Sequence, residues 1–470
     1  MTVTVRPAAP PRDLAPAATS VQTASEGPNW VPTRALGRAV LFCGSAIIVG
    51  VFLGRLDLIV IAAPFAIGAA VGLRRRPTRA PVVAVEMEQE TASEGEEVSI
   101  GLEMSNVDDT RLDLVVGRLT TSGWLDSRGR AAGDGTDPRD GLRPYAGDVG
   151  PGETARVDLR AIATHWGPQQ VGPAVAYGVA GDGLLVSGFA VAKGMMLRVH
   201  PAVPPFRAGE TMPRLTALVG IHRSRRPGEG GELAGVRRYG PGDRLRRIDW
   251  RVTLRTGELH VTHTFSDRDA QVVVLLDVVY ESGRSGGIRS TASIVDTTVR
   301  AAAAITDHYL RQGDRVGLVE YSGTPRYLRA SSGGRHLHTA LDWLLETRFN
   351  PHAADAPVFG IDHQLIPNAA LVVVLTPLLG PRSAEMIATL ARAGRSVVAV
   401  DTLGALAQRP VDGSRWTAIA QRLWRAEREN LVGLLREAGV PVTVWAGTGS
   451  LDQVLQDMAR MAEAPRLGVR

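Results

Sequence analysis

Two apolar runs near the start of the chain, Ala39–Gly54 and Leu56–Leu73, most constrain what it can fold into. Arg55 and Asp57 are the only break between them, and each run is about the shortest length that crosses a bilayer as a helix. Arg34 and Arg38 precede the first run, and Arg74, Arg75, Arg76 and Arg79 follow the second. Basic residues stay on the cytoplasmic side, so the expected anchor is a two-pass transmembrane hairpin over 36–76, with N- and C-termini cytoplasmic. A buried soluble hairpin is the competing reading. Residues 1–35 are rich in Pro, Ala, Ser and Thr without hydrophobic periodicity, which predicts a disordered N-terminal tail and not a cleaved signal.

The remaining residues leave room for about two or three further domains. From 80 to 202 the pattern is short alternating stretches between Gly, Asp and Pro: Val82–Met87, Val98–Met104, Leu112–Val116, Ala155–Ile162 and Met196–His200. They predict a small β-sandwich-like domain, a spacer or docking module, with a loop-rich interruption over Gly123–Gly152. From 269 to 465 continuous apolar strands alternate with helices. The strands are Val272–Asp277, Arg315–Tyr321, Ala370–Leu375, Ser396–Asp401 and Pro441–Trp445, with Arg326–Arg329 as an edge strand. The helices are Ala292–Leu310, Leu337–Leu345, Ala384–Ala393, Arg415–Ala438 and Leu451–Met461. This predicts an α/β, Rossmann-type domain with a mainly parallel sheet covered on both faces. Asp277, Thr376 and Asp401 would then meet at the carboxyl edge, where such folds place ligands.

Between them, over 203–268, lies the densest local information, Gly235 to Arg251. Gly240-Pro241-Gly242-Asp243 is a turn: proline sets φ at its second position, and glycine accepts a positive φ at its third. Asp243 stands as the N-cap of a following turn, and neighbouring arginines can pair with Asp243 and Asp249. The structural reading is a corner that packs Trp250 into the α/β domain; the functional one is direct partner contact. Pro227–Gly231 reads as a flexible loop.

The order Arg238-Tyr239-Gly240-Pro241-Gly242-Asp243, then Ile248-Asp249-Trp250, then Leu254-Arg255-Thr256-Gly257-Glu258-Leu259, resembles the signature of the domain-of-unknown-function 58 (DUF58) family. That resemblance implies a membrane-anchored bacterial protein with a von Willebrand factor A-like (vWA-like) domain after the motif. It also implies a MoxR-type AAA+ ATPase as partner. It makes Arg238, Tyr239, Pro241, Gly242, Asp243, Ile248, Asp249, Trp250 and Arg255 the candidate signature or partner-binding residues.

The vWA resemblance also implies a Mg2+ site built on Asp-x-Ser-x-Ser, a later threonine and an aspartate. Here Asp277 matches the first position, but Val279 and Glu281 replace the serines. The later loop reads Ser331-Ser332-Gly333-Gly334-Arg335, and the core strand ends Thr376-Pro377. No cofactor is expected. A degenerate Mg2+ site at Asp277, helped by Glu281, Ser331 or Ser332, is the weaker alternative, against a structural Asp277 paired with Arg335. The His260/His263 and His336/His338 pairs lack a fixed acidic partner for zinc.

Composition narrows the rest. Lys+Arg 53 against Asp+Glu 48 gives +5, and Lys193 is the sole lysine, so no Gly-x-x-x-x-Gly-Lys phosphate loop exists. Cys43, the single cysteine, lies in an apolar run and supports neither a disulfide framework nor a Cys-based metal site. The arginines of 223–255 alternate with Glu229, Glu232, Asp243 and Asp249 and few aromatics, so lipid headgroups are a better anionic partner than nucleic acid. The expectation is a non-enzymatic, membrane-anchored scaffold or adaptor, with self-association left open. The alternative is a metal-dependent binding module or hydrolase around Asp277.

Overall fold

The structure is a computed structural model describing residues 3–7, 19–21, 30–74, 76–126, 145–203, 227–240, 245, 248–265, 271–288, 290–351, 366–367, 370–403 and 415–445. The chain divides into two compact units, Met1–His200 and Pro201–Arg470.

The first unit opens with strands β1 (Val3–Pro7), β2 (Thr19–Val21) and β3 (Val31–Pro32), followed by helices α1 (Arg34–Leu53) and α2 (Leu56–Arg74). The two helices are long and apolar enough to cross a membrane. They fold back on each other at Gly54, whose φ of 65° is a left-handed conformation that glycine adopts without cost. Phe42 meets Phe65 edge-on at 5.3 Å, and most of the other side chains project outward, Phe52 being 90% exposed.

The remaining strands are β4 (Val82–Met87), β5 (Thr91–Ser93), β6 (Glu97–Ser105), β7 (Leu112–Thr121), β8 (Leu125–Asp126), β9 (Tyr145–Val149), β10 (Glu153–Ala163), β11 (Gly167–Ala180), β12 (Leu185–Val186), β13 (Ala190–Ala192) and β14 (Met195–His200). One sheet runs β1-β10-β6-β4-β2 with β8 on β10. The other runs β3-β12-β11-β14-β5, with β7 and β13 also on β11 and β9 on β7. Alternation sends Val83, Val85 and Met87 from one sheet and Val115 and Leu119 from the other into one shared core, and a bulge in β7 between Leu112 and Val115 brings Leu112 in as well. The stretch expected as a disordered tail therefore supplies edge strands: β1 pairs with β10, β2 with β4 and β3 with β12. Strand edges recruit backbone, so composition was a poor guide there.

The helical hairpin is not loosely tethered. Thr33 donates its N–H to Leu184 O (2.8 Å) and its hydroxyl to Gly183 O (2.8 Å). A Cβ on Gly72 would lie 2.9 Å from Gly181 O, so both helices meet the sandwich at the same turn. Beyond α2, Asp108 takes up the chain: Oδ2 accepts from Thr78 N (2.6 Å), Thr78 Oγ1 (2.8 Å) and Arg79 N (2.7 Å), and Oδ1 from Thr110 N (2.9 Å). Burial alone would raise this carboxyl, but those hydrogen bonds outweigh it and hold it at about 2.

The second unit begins with β15 (Pro227–Arg238), α3 (Trp250–Thr256) and β16 (His260–Phe265). Then come β17 (Gln271–Asp277), α4 (Ile294–Arg311), β18 (Arg315–Tyr321), β19 (Arg326–Ser331) and α5 (Gly334–Leu344). The last are β20 (Leu371–Thr376), α6 (Pro381–Arg392), β21 (Ser396–Asp401), α7 (Arg415–Glu437) and β22 (Val442–Val444). Pro227–Gly231, expected as a loop, falls within the bounds of β15, but only Pro227 and Gly228 pair with β16, and the register shifts between Gly228 and Leu233, so the glycines mark a bulge. The Leu451–Met461 helix expected from sequence lies outside the described residues.

The large sheet has the order β19-β18-β17-β20-β21-β22, parallel except for the antiparallel edge β19. Val272 to Leu276 and Leu371 to Leu375 are all buried, as strands covered on both faces must be. Helix α4 begins with a capping box: Ser293 Oγ accepts from Asp296 N, and Asp296 from Ser293 N. The edge strand is fastened by Arg326, which donates to Glu320 Oε2 (2.6 Å), Glu346 Oε2 (2.8 Å) and Thr347 Oγ1 (3.2 Å) and lies over the Trp343 ring.

Two stability predictions follow from these contacts. Asp108→Ala, which strands the amides of Thr78, Arg79 and Thr110, should cost about 1–3 kcal/mol and speed their hydrogen exchange. Because the folded value lies below the ordinary 3.8, the native contribution is complete above that pH and is lost as pH falls through about 2. Asp314 is the opposite case, since desolvation raises it to about 6. Its penalty grows as pH rises from 3.8 to about 6, so Asp314→Asn should raise Tm at pH 7 and not at pH 3.5. With solvent screening the gain is about 1 kcal/mol.

Candidate functional site

The signature segment is a two-stranded ribbon carrying a short helix. Arg238 pairs in register with His260 and Arg237 with Val261, while Tyr239 N donates to Leu259 O (2.8 Å). Ile248 bridges to Val261, and Asp249 N donates to His260 O (2.9 Å). The N-cap is Asp249: its Oδ1 accepts from Arg251 N and Val252 N, both at 3.1 Å. Asp243, expected to cap the turn that follows it, lies with Pro241 and Gly242 outside the described residues. The carboxylate of Asp249 is thus engaged by backbone amides, where sequence expected guanidinium partners. Arg238 pairs with Glu258 at 2.8 Å, on the surface, where such a pair is worth little. Gly257 closes the helix at φ 73°, and Arg255 is exposed in the last turn.

Trp250 does not pack into the sheet, which corrects the structural expectation. It is 62% exposed, Leu254 one turn later is 84% exposed, and Leu245 is 69% exposed. On the same helix Val252 is half-buried, so Trp250 and Leu254 are the apolar side chains that stand outward. Only Val261, beneath the ribbon, is buried among the described side chains of this segment.

At the carboxyl edge of the large sheet the three expected strand ends do converge. Thr376 Oγ1 donates to Asp277 Oδ2 at 2.6 Å, Val279 N donates to Asp277 Oδ1 at 3.3 Å, and Leu378 N donates to Thr376 Oγ1 at 3.1 Å. Desolvation pushes the fully buried Asp277 carboxyl up, against the lowering influence of Ser383, Thr376 and the Val279 amide. The Ser383 hydroxyl, itself buried, lies near this carboxyl but outside hydrogen-bonding geometry. Asp401 forms a buried ion pair with Arg428 of α7 and accepts from Leu403 N (3.0 Å).

The expected helpers of Asp277 are elsewhere. Asp277 is in register with Tyr321 at the end of β18, whereas Ser331 is opposite Val316 near its start. Five residues of strand, about 17 Å, therefore separate Ser331 from the carboxyl edge, and Ser332 and Arg335 follow it there. Asp277 is held by Thr376, not Arg335. Glu281 Oε1 accepts from Ser282 N (2.9 Å) and Ile294 N (3.0 Å), so it serves the start of α4. Burial raises that carboxyl too. Among the described residues no group of three His, Cys, Asp or Glu side chains is placed to hold a metal. His336 Nε2 lies 2.7 Å from Val316 O inside the fold, and His260 Nδ1 lies 2.7 Å from Glu258 O. Sequence reading missed Arg428 and Arg326, whose partners lie on other elements and leave no local signal.

The family described as "Protein of unknown function DUF58" matches residues 235–409, from the signature ribbon to just past β21. Residues 235–409 are a DUF58 domain. Curated relatives include "Uncharacterized protein Rv1480" of Mycobacterium tuberculosis and "Uncharacterized protein Mb1516" of Mycobacterium bovis. Each is 33% identical over 172 residues, covering 35% of this chain and 52% of the relative. The chain thus spans about half the length of the curated relatives it matches. Among solved structures, an uncharacterized membrane spanning protein from Vibrio fischeri aligns with 41% of this chain and 98% of its own at 12% identity. Its TM-score of 0.13 carries no argument about the fold.

The DUF58 domain's buried carboxyl gives a pH-dependent prediction. Asp277→Ala, which leaves Thr376 without its acceptor, should cost about 2–3 kcal/mol. Asp277→Asn keeps an acceptor and removes a charge that burial disfavours. A buried acid raised above 3.8 weakens the fold as pH rises, so the Asn variant should gain on wild type from pH 4 upward in thermal melts.

Proposed function

We propose that this chain is a non-enzymatic, membrane-anchored scaffold or adaptor whose DUF58 domain binds a protein partner through its signature segment. The observation that carries the reading is the outward apolar surface of Leu245, Trp250 and Leu254, on a ribbon whose polar groups are largely satisfied internally. Exposed tryptophan beside arginine is the composition of a protein-binding hot spot, and the exposed leucines add apolar area around it. The signature resemblance names the partner, a MoxR-type AAA+ ATPase, and the role, assembly or activation of envelope-associated complexes. In this reading the α/β unit is vWA-like and acts as a rigid mount, both chain termini are cytoplasmic, and Asp277 and Thr376 are structural. The engagement of Asp277 by a hydroxyl and an amide supports that assignment over Mg2+ binding.

Affinity co-purification of the detergent-solubilised protein from its native membrane, with and without ATP, tests this. Trp250→Ala with Leu254→Ala should lose an ATPase that wild type recovers, while stability changes by less than about 0.5 kcal/mol, because both side chains are exposed. Equal recovery by the folded variant would remove the signature from the interface. Millimolar Mg2+ should leave Tm unchanged, and a clear upward shift would favour the metal-dependent alternative.

A further inference from the structure

Helix α7 lies beyond the DUF58 match, which ends at residue 409. Its second half is held to the unit: Leu435 is buried, and Arg428 reaches Asp401 and the carbonyl of Pro377. Its first half is uncovered on one side. Trp416 is 66% exposed, Ile419 44% and Leu423 62%, at spacings of three and four that place them in one stripe. Half-buried Thr417, Gln421, Trp424 and Arg428 mark the side facing the unit, about 140° around the helix from that stripe.

The polar residues of this half-turn series carry one sign. From Arg415 to Ala426 the sequence holds Arg415, Arg422 and Arg425 and no acidic residue; Glu427 is the first. Arg422 and Arg425 are exposed. The signature ribbon, by contrast, mixes Arg238 with Glu258 and Asp249 and binds its own charges. We infer that the first half of α7 is an interfacial membrane-binding surface: Trp416, Ile419 and Leu423 enter the boundary between headgroups and acyl chains, and Arg422, which flanks that stripe, takes the phosphates of anionic phospholipids. Tryptophan and leucine on one face with arginine beside them is the composition of helices that lie in the membrane plane. Three apolar side chains bind a free bilayer weakly. The inference rests on the membrane-anchor reading of α1 and α2, which would keep the bilayer within reach at high effective concentration.

The test uses the full chain with Cys43→Ala in proteoliposomes of phosphatidylglycerol and phosphatidylcholine. A polarity-sensitive fluorophore is placed at Leu423→Cys or, as reference, at Ser331→Cys on β19, the opposite edge of the sheet. Quenching by a lipid carrying a nitroxide near its headgroup is the readout. The expected result is quenching and a blue shift at Leu423, none at Ser331, and loss of both signals on adding Arg422→Glu. Protein that floats with the vesicles while Leu423 stays unquenched overturns the inference and leaves the anchor reading intact. Failure to float at all overturns the anchor reading. A blue shift at Leu423 that requires added membrane proteins overturns the lipid assignment in favour of a protein partner. Quenching that survives the charge reversal overturns the phosphate contact.

Discussion

Strands without a solvent face govern the second unit. In β17 and β20 every residue from Val272 to Leu276 and from Leu371 to Leu375 is buried, so no polar side chain can be carried along the strands without large desolvation cost. Polarity is displaced to the strand ends. There Asp277, Thr376 and Asp401 converge, and each is consumed by a neighbour: Asp277 by Thr376, Asp401 by Arg428 and the amide of Leu403. Large exposed apolar side chains lie instead at the periphery, among them Trp250 and Leu254 on α3 and Trp416 and Leu423 in the first half of α7.

The first unit solves a different problem. Two apolar helices have to be joined to a sandwich whose own core is complete. The junction is made by backbone at close range, where Gly72 meets Gly181 and Thr33 bonds the same turn, and by one buried carboxylate, Asp108, that collects three donors from the chain leaving α2. Glycine is required at Gly181 twice over, for its φ of 65° and for the approach of Gly72. A mount of this kind transmits orientation from the helices to the sandwich without a flexible linker.

Much of this was legible from sequence wherever the signal is local. The apolar runs, the strand–helix alternation and the edge strand at Arg326 all depend on residues within one element, whereas its antiparallel direction depends on the pairing with β18. The turn chemistry around residue 240 was legible too, but the cap on α3, Asp249, shows itself only once the helix boundary is known. Trp250 read as the residue that packs a corner into the α/β domain, and it is 62% exposed, because which side of a short helix meets a neighbour is not written in its own sequence. The pairing of Asp277 with Arg335 failed for a topological reason, since antiparallel β19 carries Ser331 away from the carboxyl edge.

By itself, then, the sequence determined which segments are apolar on one side, on both sides or throughout, because periodicity is a property of neighbours along the chain. It also carried the DUF58 signature, a matter of order and spacing. Tertiary structure alone decided that the first residues add strands to the sandwich, that Asp108 holds the chain leaving α2 and that Arg428 neutralises Asp401. It also decided that Trp250 and Trp416 face outward. Each depends on which distant element occupies the neighbouring space, and long-range pairing leaves no trace in local composition.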